Sequence, residues 1–205
     1  ISSHSFYYPI KSKTKLYEKP ASRSKIIDQI YLFKKVKKLN NRNRFMKVIV
    51  FGKTGYVKKN AFSDIWLKVF KKEKTVYLLK GKNVIDEFKI NFKGNWKLDK
   101  VNRYDKNIPV GRFYLCRFKR KQALISYPNR EDIRRGLIKK MITRTQYYKI
   151  LRQLHGLSVP SQYTKLGGNI KIKPLYKGKM VSKSTLYLKK EDFQILMKYF
   201  KRGLM

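Results

Sequence analysis

The sequence predicts a mainly β protein, in which a small β-barrel is followed by a second β-rich module with a helical insertion and a C-terminal helix. Three observations predict this fold class. Short stretches in residues 1–62 alternate apolar and polar side chains between turn residues, as half-buried strands do. A three-strand meander pattern begins at residue 65. Apolar residues recur at three- and four-residue steps between 129 and 166 and again near the C-terminus, which indicates helices.

The first module, residues 1–62, contains five predicted strands that are separated by turn signals, such as the loop around Pro20. Each stretch is short, and several alternate apolar with polar residues, which favours a small barrel. The predicted strands are Lys15–Tyr17, Ile26–Ile30, Lys34–Leu39, Phe45–Phe51 and Gly55–Val57.

The same module resembles the bacterial SH3-like domain. The residues that carry the resemblance are Leu16, Pro20, Ser24, Ile26, Ile27, Val36 and the run GKTGYV from Gly52 to Val57, with Tyr56 where Trp is common. Domains of this kind in cell-wall proteins often bind wall peptides or glycans, so the resemblance implies a targeting module. A packing barrel without a ligand is the alternative.

The second module, residues 65–205, follows a short joint at Ser63 and Asp64. Strands are predicted from Ile65, over Val76–Leu79 and over Val84–Ile90, with a turn at Lys71–Lys74 and another at Gly81. The meander therefore predicts an antiparallel sheet at the start of this module.

Helical periodicity marks the segment between Asn129 and Leu166, where Thr143–Gln146 interrupts the apolar run. Gly156 is a usual helix stop signal, so His155 is predicted in the last helical turn, where a cation faces the negative helix end. A C-terminal helix is predicted within Leu188–Phe200. Its predicted buried face consists of Phe193, Leu196, Met197 and Phe200.

Charge is the strongest feature of the composition. The 205 residues include 52 Lys plus Arg against 12 Asp plus Glu, a formal net charge of +40, which exceeds what solubility requires and predicts a polyanion or an anionic surface as partner. A solvated face is the plainer interpretation of any single basic run.

The one cysteine, Cys116, and two histidines, His4 and His155, offer almost no ligands for a transition metal. We therefore predict no metal and no cofactor, and no apolar run approaches the length of a membrane span.

Three motifs in the second module resemble the L,D-transpeptidases, the YkuD-type enzymes that remodel bacterial peptidoglycan. DKNIPVGRFYLCRF, residues 105–118, is similar to the family's Thr-Pro-x-Gly-x-Tyr/Phe segment. ISYPNREDIRRGLIKK, residues 125–140, closely resembles the Ile-Ser-Tyr-Pro-Asn-x-x-Asp segment of YafK-like enzymes. LGGNIKIKPLYKGKMVSKSTLYL, residues 166–188, resembles the active-site stretch.

The resemblance implies a β-sandwich and a location in the periplasm or cell envelope. Because the chain begins at Ile1 rather than Met, we expect a leader to have been removed.

The residues that perform the family's chemistry are replaced. In the family, a Gly-Gly-x-Ile-x-Ile strand leads to a His-Gly pair, and a Ser/Thr-x-Gly-Cys segment carries the nucleophile. Here Lys173 stands at the imidazole position, Thr185 at the thiol position and Ser184 at the preceding glycine. A thiolate activated by an imidazole is the attacking pair, so the resemblance implies a pseudoenzyme without catalytic residues. The predicted ligand-binding groove comprises Tyr127, Asn129, Lys173, Ser182, Ser184 and Thr185.

The expected function is therefore binding of peptidoglycan or another anionic envelope polymer, with a protein partner as a further option. Two enzymatic alternatives stay open: a peptidoglycan transpeptidase or carboxypeptidase that pairs Lys173 with Ser184 or Thr185, and Cys116 as a displaced nucleophile. His155-Gly156 is a poor match for the family's His-Gly pair, which follows the Gly-Gly strand. Nucleic-acid binding is a third class of function, because basic strands that carry aromatic residues can follow phosphates and stack bases.

Overall fold

The computed structural model describes residues 6–119, 121–176, 178 and 180–205. Within these ranges the chain forms two seven-stranded sheets and three α-helices, so the prediction of a mainly β protein is confirmed. The chain divides into two compact units. One contains Ile1–Leu67, Leu78–Asp86 and Gly203–Met205, and the other contains Lys68–Tyr77 and Glu87–Arg202. The boundaries 1–62 and 65–205 stay a prediction.

The first sheet has the strand order β3-β2-β6-β5-β4-β1-β7. Its strands are β1 Phe6–Pro9, β2 Lys13–Tyr17, β3 Ile26–Tyr31, β4 Val36–Arg42, β5 Phe45–Val50, β6 Lys53–Lys58 and β7 Phe62–Ser63. All five predicted strands are present. The sequence did not predict β1 and β7, because two to four residues are too few to establish an alternating pattern.

Alternation along these strands forms the core of the first unit. In β5, Met46, Val48 and Val50 are buried, because successive side chains of a strand point to opposite faces. Gly55 in the GKTGYV run is required by close packing, since a Cβ atom there would lie 2.8 Å from Cγ of Leu16. Gly55, one of the residues that resemble the SH3-like pattern, therefore has a packing reason to be glycine.

The second sheet has the order β11-β12-β13-β14-β10-β9-β8. Strands β13 and β14 are parallel, whereas β11-β12, β12-β13 and β10-β14 are antiparallel. Its strands are β8 Ile65–Phe70, β9 Thr75–Lys80, β10 Asn83–Asn91, β11 Leu115–Lys119, β12 Gln122–Ile125, β13 Lys171–Leu175 and β14 Thr185–Lys189. The predicted meander corresponds to β8, β9 and β10.

The helical insertion consists of two helices, α1 Arg130–Ile138 and α2 Arg144–His155. The interruption predicted at Thr143–Gln146 is a capping box, in which Thr143 Oγ1 accepts from the Gln146 N–H and Gln146 Oε1 accepts from the Thr143 N–H. His155 lies in the last turn of α2 and Gly156 ends it, as predicted.

The C-terminal helix, α3, spans Lys190–Met197 and packs on β13 and β14. Phe193 and Leu196 are buried, whereas Met197 is half-buried. Phe200 is also buried but follows the end of the helix, so three members of the predicted apolar face are buried.

The cap at the start of α2 gives a measurable contribution to stability. We expect Thr143→Ala to lower the free energy of unfolding by about 1 kcal/mol, because it removes the acceptor for the Gln146 N–H. Thr145→Ala, two residues further into the same helix, is the control, and it should leave stability unchanged or slightly raised. Urea denaturation measures both. Equal effects of the two substitutions would show that the cap contributes nothing.

Candidate functional site

One face of the second sheet is polar and cationic where β13 and β14 run side by side. The parallel register places Lys171 opposite Thr185 and Lys173 opposite Tyr187. Because side chains alternate along a strand, these four point to one face, which we call the polar face. The alternate residues Ile172, Leu186 and Leu188 are buried, and Pro174 lies with Phe193 and Met197 of α3. Because one face of these strands packs in the core and against α3, Lys171, Lys173, Thr185 and Tyr187 are left on the opposite, polar face.

Three hydroxyl groups meet at the start of β14. Ser182 Oγ lies 2.8 Å from the Tyr187 phenol oxygen and donates to Thr185 Oγ1 at 3.3 Å. The Ser182 N–H also donates to the Tyr187 oxygen at 3.3 Å. Ser182 is exposed, whereas Thr185 is 3% exposed and Tyr187 is 9% exposed. We call Ser182, Thr185 and Tyr187 the hydroxyl cluster.

The charges on the polar face influence one another. Burial opposes ionisation of Tyr187, but hydrogen bonds from Ser182 and the charge of Lys173 outweigh it and lower the pKa of the phenol. Burial, reinforced by the nearby Lys173 ammonium, lowers the pKa of Lys171. The charge of Lys173 contributes to both shifts and would likewise stabilise an anion on this face.

The predicted groove residues on β13 and β14 lie close together, but not in the pairing that the motif alignment favoured. Thr185 has Lys171 as its neighbour across the strands, and Lys173 has Tyr187. Ser184 contributes its carbonyl, which accepts from the Lys171 N–H at 3.1 Å. The alignment with family motifs missed Lys171 and Tyr187, although the spacing of two residues from Lys173 and Thr185 places each on the same face.

Tyr127 and Asn129 have structural roles elsewhere in the unit. Tyr127 is fully buried, and its hydroxyl donates to the carbonyls of Lys100 and Leu166 at 3.3 and 3.2 Å. Asn129 caps α1, because its side chain accepts from the Asp132 N–H at 3.0 Å. In the described ranges, no hydrogen bond or ion pair joins either residue to the hydroxyl cluster or to Lys173.

Lys100 is a buried cation that no sequence pattern predicted. Its side chain is 1% exposed, and Nζ donates to the carbonyls of Asn102 and Asp105 at 3.0 and 2.8 Å. Burial lowers the pKa of this ammonium; Asp105 opposes the shift and Lys183 adds to it. Because Lys183 belongs to the loop before β14, its charge extends the positive potential of the polar face toward Lys100.

Cys116 and His155 do not form a reactive pair in the part of the chain that the structure describes. The Cys116 thiol is 6% exposed, and burial raises its pKa to about 12, so it stays protonated near neutral pH. Its Sγ lies 3.9 Å from the Tyr114 carbonyl. The His155 ring contacts the Arg130 guanidinium at the end of α2, and burial together with Arg130 lowers the pKa of the imidazole. His4 lies outside the described residues.

A cavity of about 140 Å³ opens on the same side of the sheet, over β11, β12 and β13. We call it the basic pocket. Its lining residues are Arg117, Lys119, Gln122, Leu124, Asn169 and Lys171. Arg117 and Lys119 alternate with Phe118 along β11 and so share one face, but the sequence does not show that Lys171 joins them. Arg120 lies outside the described residues.

A search of protein-family models found no match to this chain. The search of curated proteins likewise found no match. Among the described residues, no group of three or more His, Cys, Asp or Glu side chains is placed to hold a metal ion. The helices of the described ranges include none with both the length and the apolar character needed to cross a membrane.

Proposed function

We propose that this protein is an L,D-transpeptidase-like binding protein of the bacterial cell envelope, and that its polar face holds a carboxylate of peptidoglycan. The observation that carries the proposal is the arrangement of two lysines, Lys171 and Lys173, beside the hydroxyl cluster on one sheet face. Ammonium and hydroxyl groups are donors, and a carboxylate accepts several charge-assisted hydrogen bonds. Stem peptides of peptidoglycan supply such carboxylates.

Two backbone features support the alignment with the transpeptidase motifs. Ser184 stands at the family's glycine, and its φ of 60° lies in the left-handed region that favours glycine. The strand that ends the Gly-Gly motif, β13, pairs directly with the strand that Thr185 begins, β14. Adjacent strands bring the base and nucleophile positions of the motifs near each other, as a reactive pair needs. Asn129 and Asp132 add a structural reason for the Asn-x-x-Asp spacing, because they form the capping box of α1.

The chemistry of the matched positions favours binding over catalysis. Thr185 is 3% exposed and its Oγ1 already accepts from Ser182, so an incoming carbonyl carbon has little access to the hydroxyl. The Cys116 thiol is buried and protonated. Lys173 is half-buried at the imidazole position, where a fixed positive charge suits a carboxylate better than a titrating ring. The first unit, which resembles SH3-like domains, would target the protein to the wall.

Sedimentation with purified sacculi at moderate salt tests the proposal. We expect the protein to co-sediment, and Lys173→Ala to weaken binding about tenfold or more, because a hydrogen bond to a charged group contributes about 1.5–3 kcal/mol. Lys173→Arg should retain most of the binding. Lys149→Ala, at an exposed position of α2, is the control for the loss of one positive charge. If Lys149→Ala and Lys173→Ala weaken binding equally, the protein binds sacculi through its net charge and not through the polar face. If the protein does not sediment with sacculi, the proposal is refuted.

The same preparation distinguishes the alternative functions. Incubation with muropeptides followed by mass spectrometry detects a trimmed or cross-linked product, and any product that Thr185→Val abolishes would assign an active enzyme. A nucleic-acid-binding protein would instead bind single-stranded oligonucleotides with a steep salt dependence and ignore sacculi. We expect neither result.

A further inference from the structure

The basic pocket has the composition of an anion site. It is lined by three cations, two side-chain amides and one leucine: Arg117, Lys119, Lys171, Gln122, Asn169 and Leu124. The guanidinium offers five N–H donors, each ammonium offers three, and each amide offers two. Its volume of about 140 Å³ exceeds that of a few waters, at roughly 30 Å³ each. A tetrahedral oxyanion therefore fits.

The sheet register brings the three cations together. Arg117 pairs with Leu124 and Lys119 pairs with Gln122 across β11 and β12, and Leu124 pairs with Lys171 across β12 and β13. Paired residues share a face, and neighbouring strands lie about 4.8 Å apart, so the cations of β11 and β13 flank a gap of about 10 Å. The buried side chain of Leu124 lies between them.

We propose that the basic pocket binds a phosphoryl group, as a phosphate monoester or as inorganic phosphate. A dianion with three or four oxygens can accept from both strands at once and offset most of the local positive charge. A carboxylate, with one charge and two oxygens, would leave at least one of the cations without a partner. The lowered pKa of Lys171 agrees with this choice, because a bound dianion would stabilise its ammonium form.

This inference adds a second ligand to the polar side of the sheet and does not depend on the peptidoglycan proposal. Arg117 and Lys119 lie on β11, which β12 and β13 separate from the hydroxyl cluster at the start of β14, and they are not part of the predicted groove. Lys171 is shared by the basic pocket and the polar face. Arg117 and Lys119 line only the basic pocket, and Lys173 does not line it, so variants of these residues test the two sites separately: Lys173 variants test the carboxylate site, and Arg117 and Lys119 variants test the pocket.

Isothermal titration calorimetry of the full chain, at constant ionic strength, compares inorganic phosphate with acetate. We expect phosphate to bind at least about tenfold more tightly, and Arg117→Ala combined with Lys119→Ala to lower phosphate affinity about tenfold or more. Lys149→Ala should leave it within about threefold. Glycerol phosphate and dimethyl phosphate distinguish a monoester from a diester, and we expect the monoester to bind more tightly.

A second variant tests the inference if the double substitution prevents folding. Gln122→Glu keeps the size of the side chain but places a carboxylate in the pocket, so it should abolish phosphate binding while sacculi still sediment with the protein. Phosphate that binds no more tightly than acetate would overturn the inference. Unchanged phosphate affinity in the folded Gln122→Glu protein would do so as well.

Discussion

Replacement of Tyr127 by alanine is expected to lower the free energy of unfolding by about 3–5 kcal/mol, the loss typical of a fully buried aromatic side chain. Tyr127→Phe is expected to cost about 1–2 kcal/mol, because the carbonyls of Lys100 and Leu166 would each lose a donor. Burial raises the pKa of this phenol, so the hydroxyl stays a donor at all ordinary pH values. Urea denaturation of the three proteins measures both losses.

Tyr163→Ala is the matched control, because that side chain is 93% exposed and its removal should change stability by less than about 0.5 kcal/mol. Tyr127→Phe should also bind sacculi as well as the unmodified protein. Weaker sacculus binding at unchanged stability would restore the sequence-based prediction, in which Tyr127 lines the ligand groove.

The second large effect is a dependence of stability on pH that comes from Asp132. Burial raises the pKa of this carboxyl from 3.8 to about 6, against the opposing influence of the Asn129 N–H and Arg135. The folded protein therefore binds the proton more tightly than the unfolded chain does. Stability from this group is fully present below pH 3.8 and falls as the pH rises to about 6. The difference of about 2.2 pH units corresponds to about 3 kcal/mol, at 1.36 kcal/mol per unit.

Asp132→Asn isolates this contribution from the other carboxyls. Asparagine can still accept from the Asn129 N–H, but it carries no charge to desolvate. The free energy of unfolding of the unmodified protein, minus that of Asp132→Asn, should fall by about 2 kcal/mol between pH 4 and pH 6 and become constant above about pH 7, where the carboxyl is ionised in both states. Urea midpoints at four pH values measure the difference. A difference that is flat with pH, or that increases, would show that Asp132 is ionised without penalty in the folded state.

The strands and helices could be predicted from the sequence wherever a repeating pattern was long enough. Alternation in Phe45–Phe51 predicted β5, and the capping residues Thr143 and Gln146 marked the break between α1 and α2. Strand β7, with two residues, has no pattern of its own and is defined by its pairing with β1. Sequence patterns therefore predicted the strands and helices that are long enough to carry a pattern. The shortest strands form because of their pairing with neighbouring strands, which the sequence does not show.

The candidate site was predicted in part. The motifs selected Lys173, Ser182, Ser184 and Thr185, and these lie on or beside two paired strands. Tyr127 and Asn129 belong to the most specific of the motif matches, but the structure gives them a buried hydrogen-bonding role and a helix cap. A motif records which residues are needed and does not tell ligand contacts from packing contacts, because both constrain the residue type.

The sequence alone determined the mainly β class and the excess of positive charge, and its resemblance to the transpeptidase motifs predicted Thr185 and Lys173 where that family has its thiol and its imidazole. Only the tertiary structure decided that Lys171 faces Thr185, that Tyr187 joins Ser182, and that Arg117 and Lys119 converge with Lys171. The reason is physical: strand pairing and register decide which distant residues become neighbours, and hydrophobic contact with α3 determines which side of each strand remains polar.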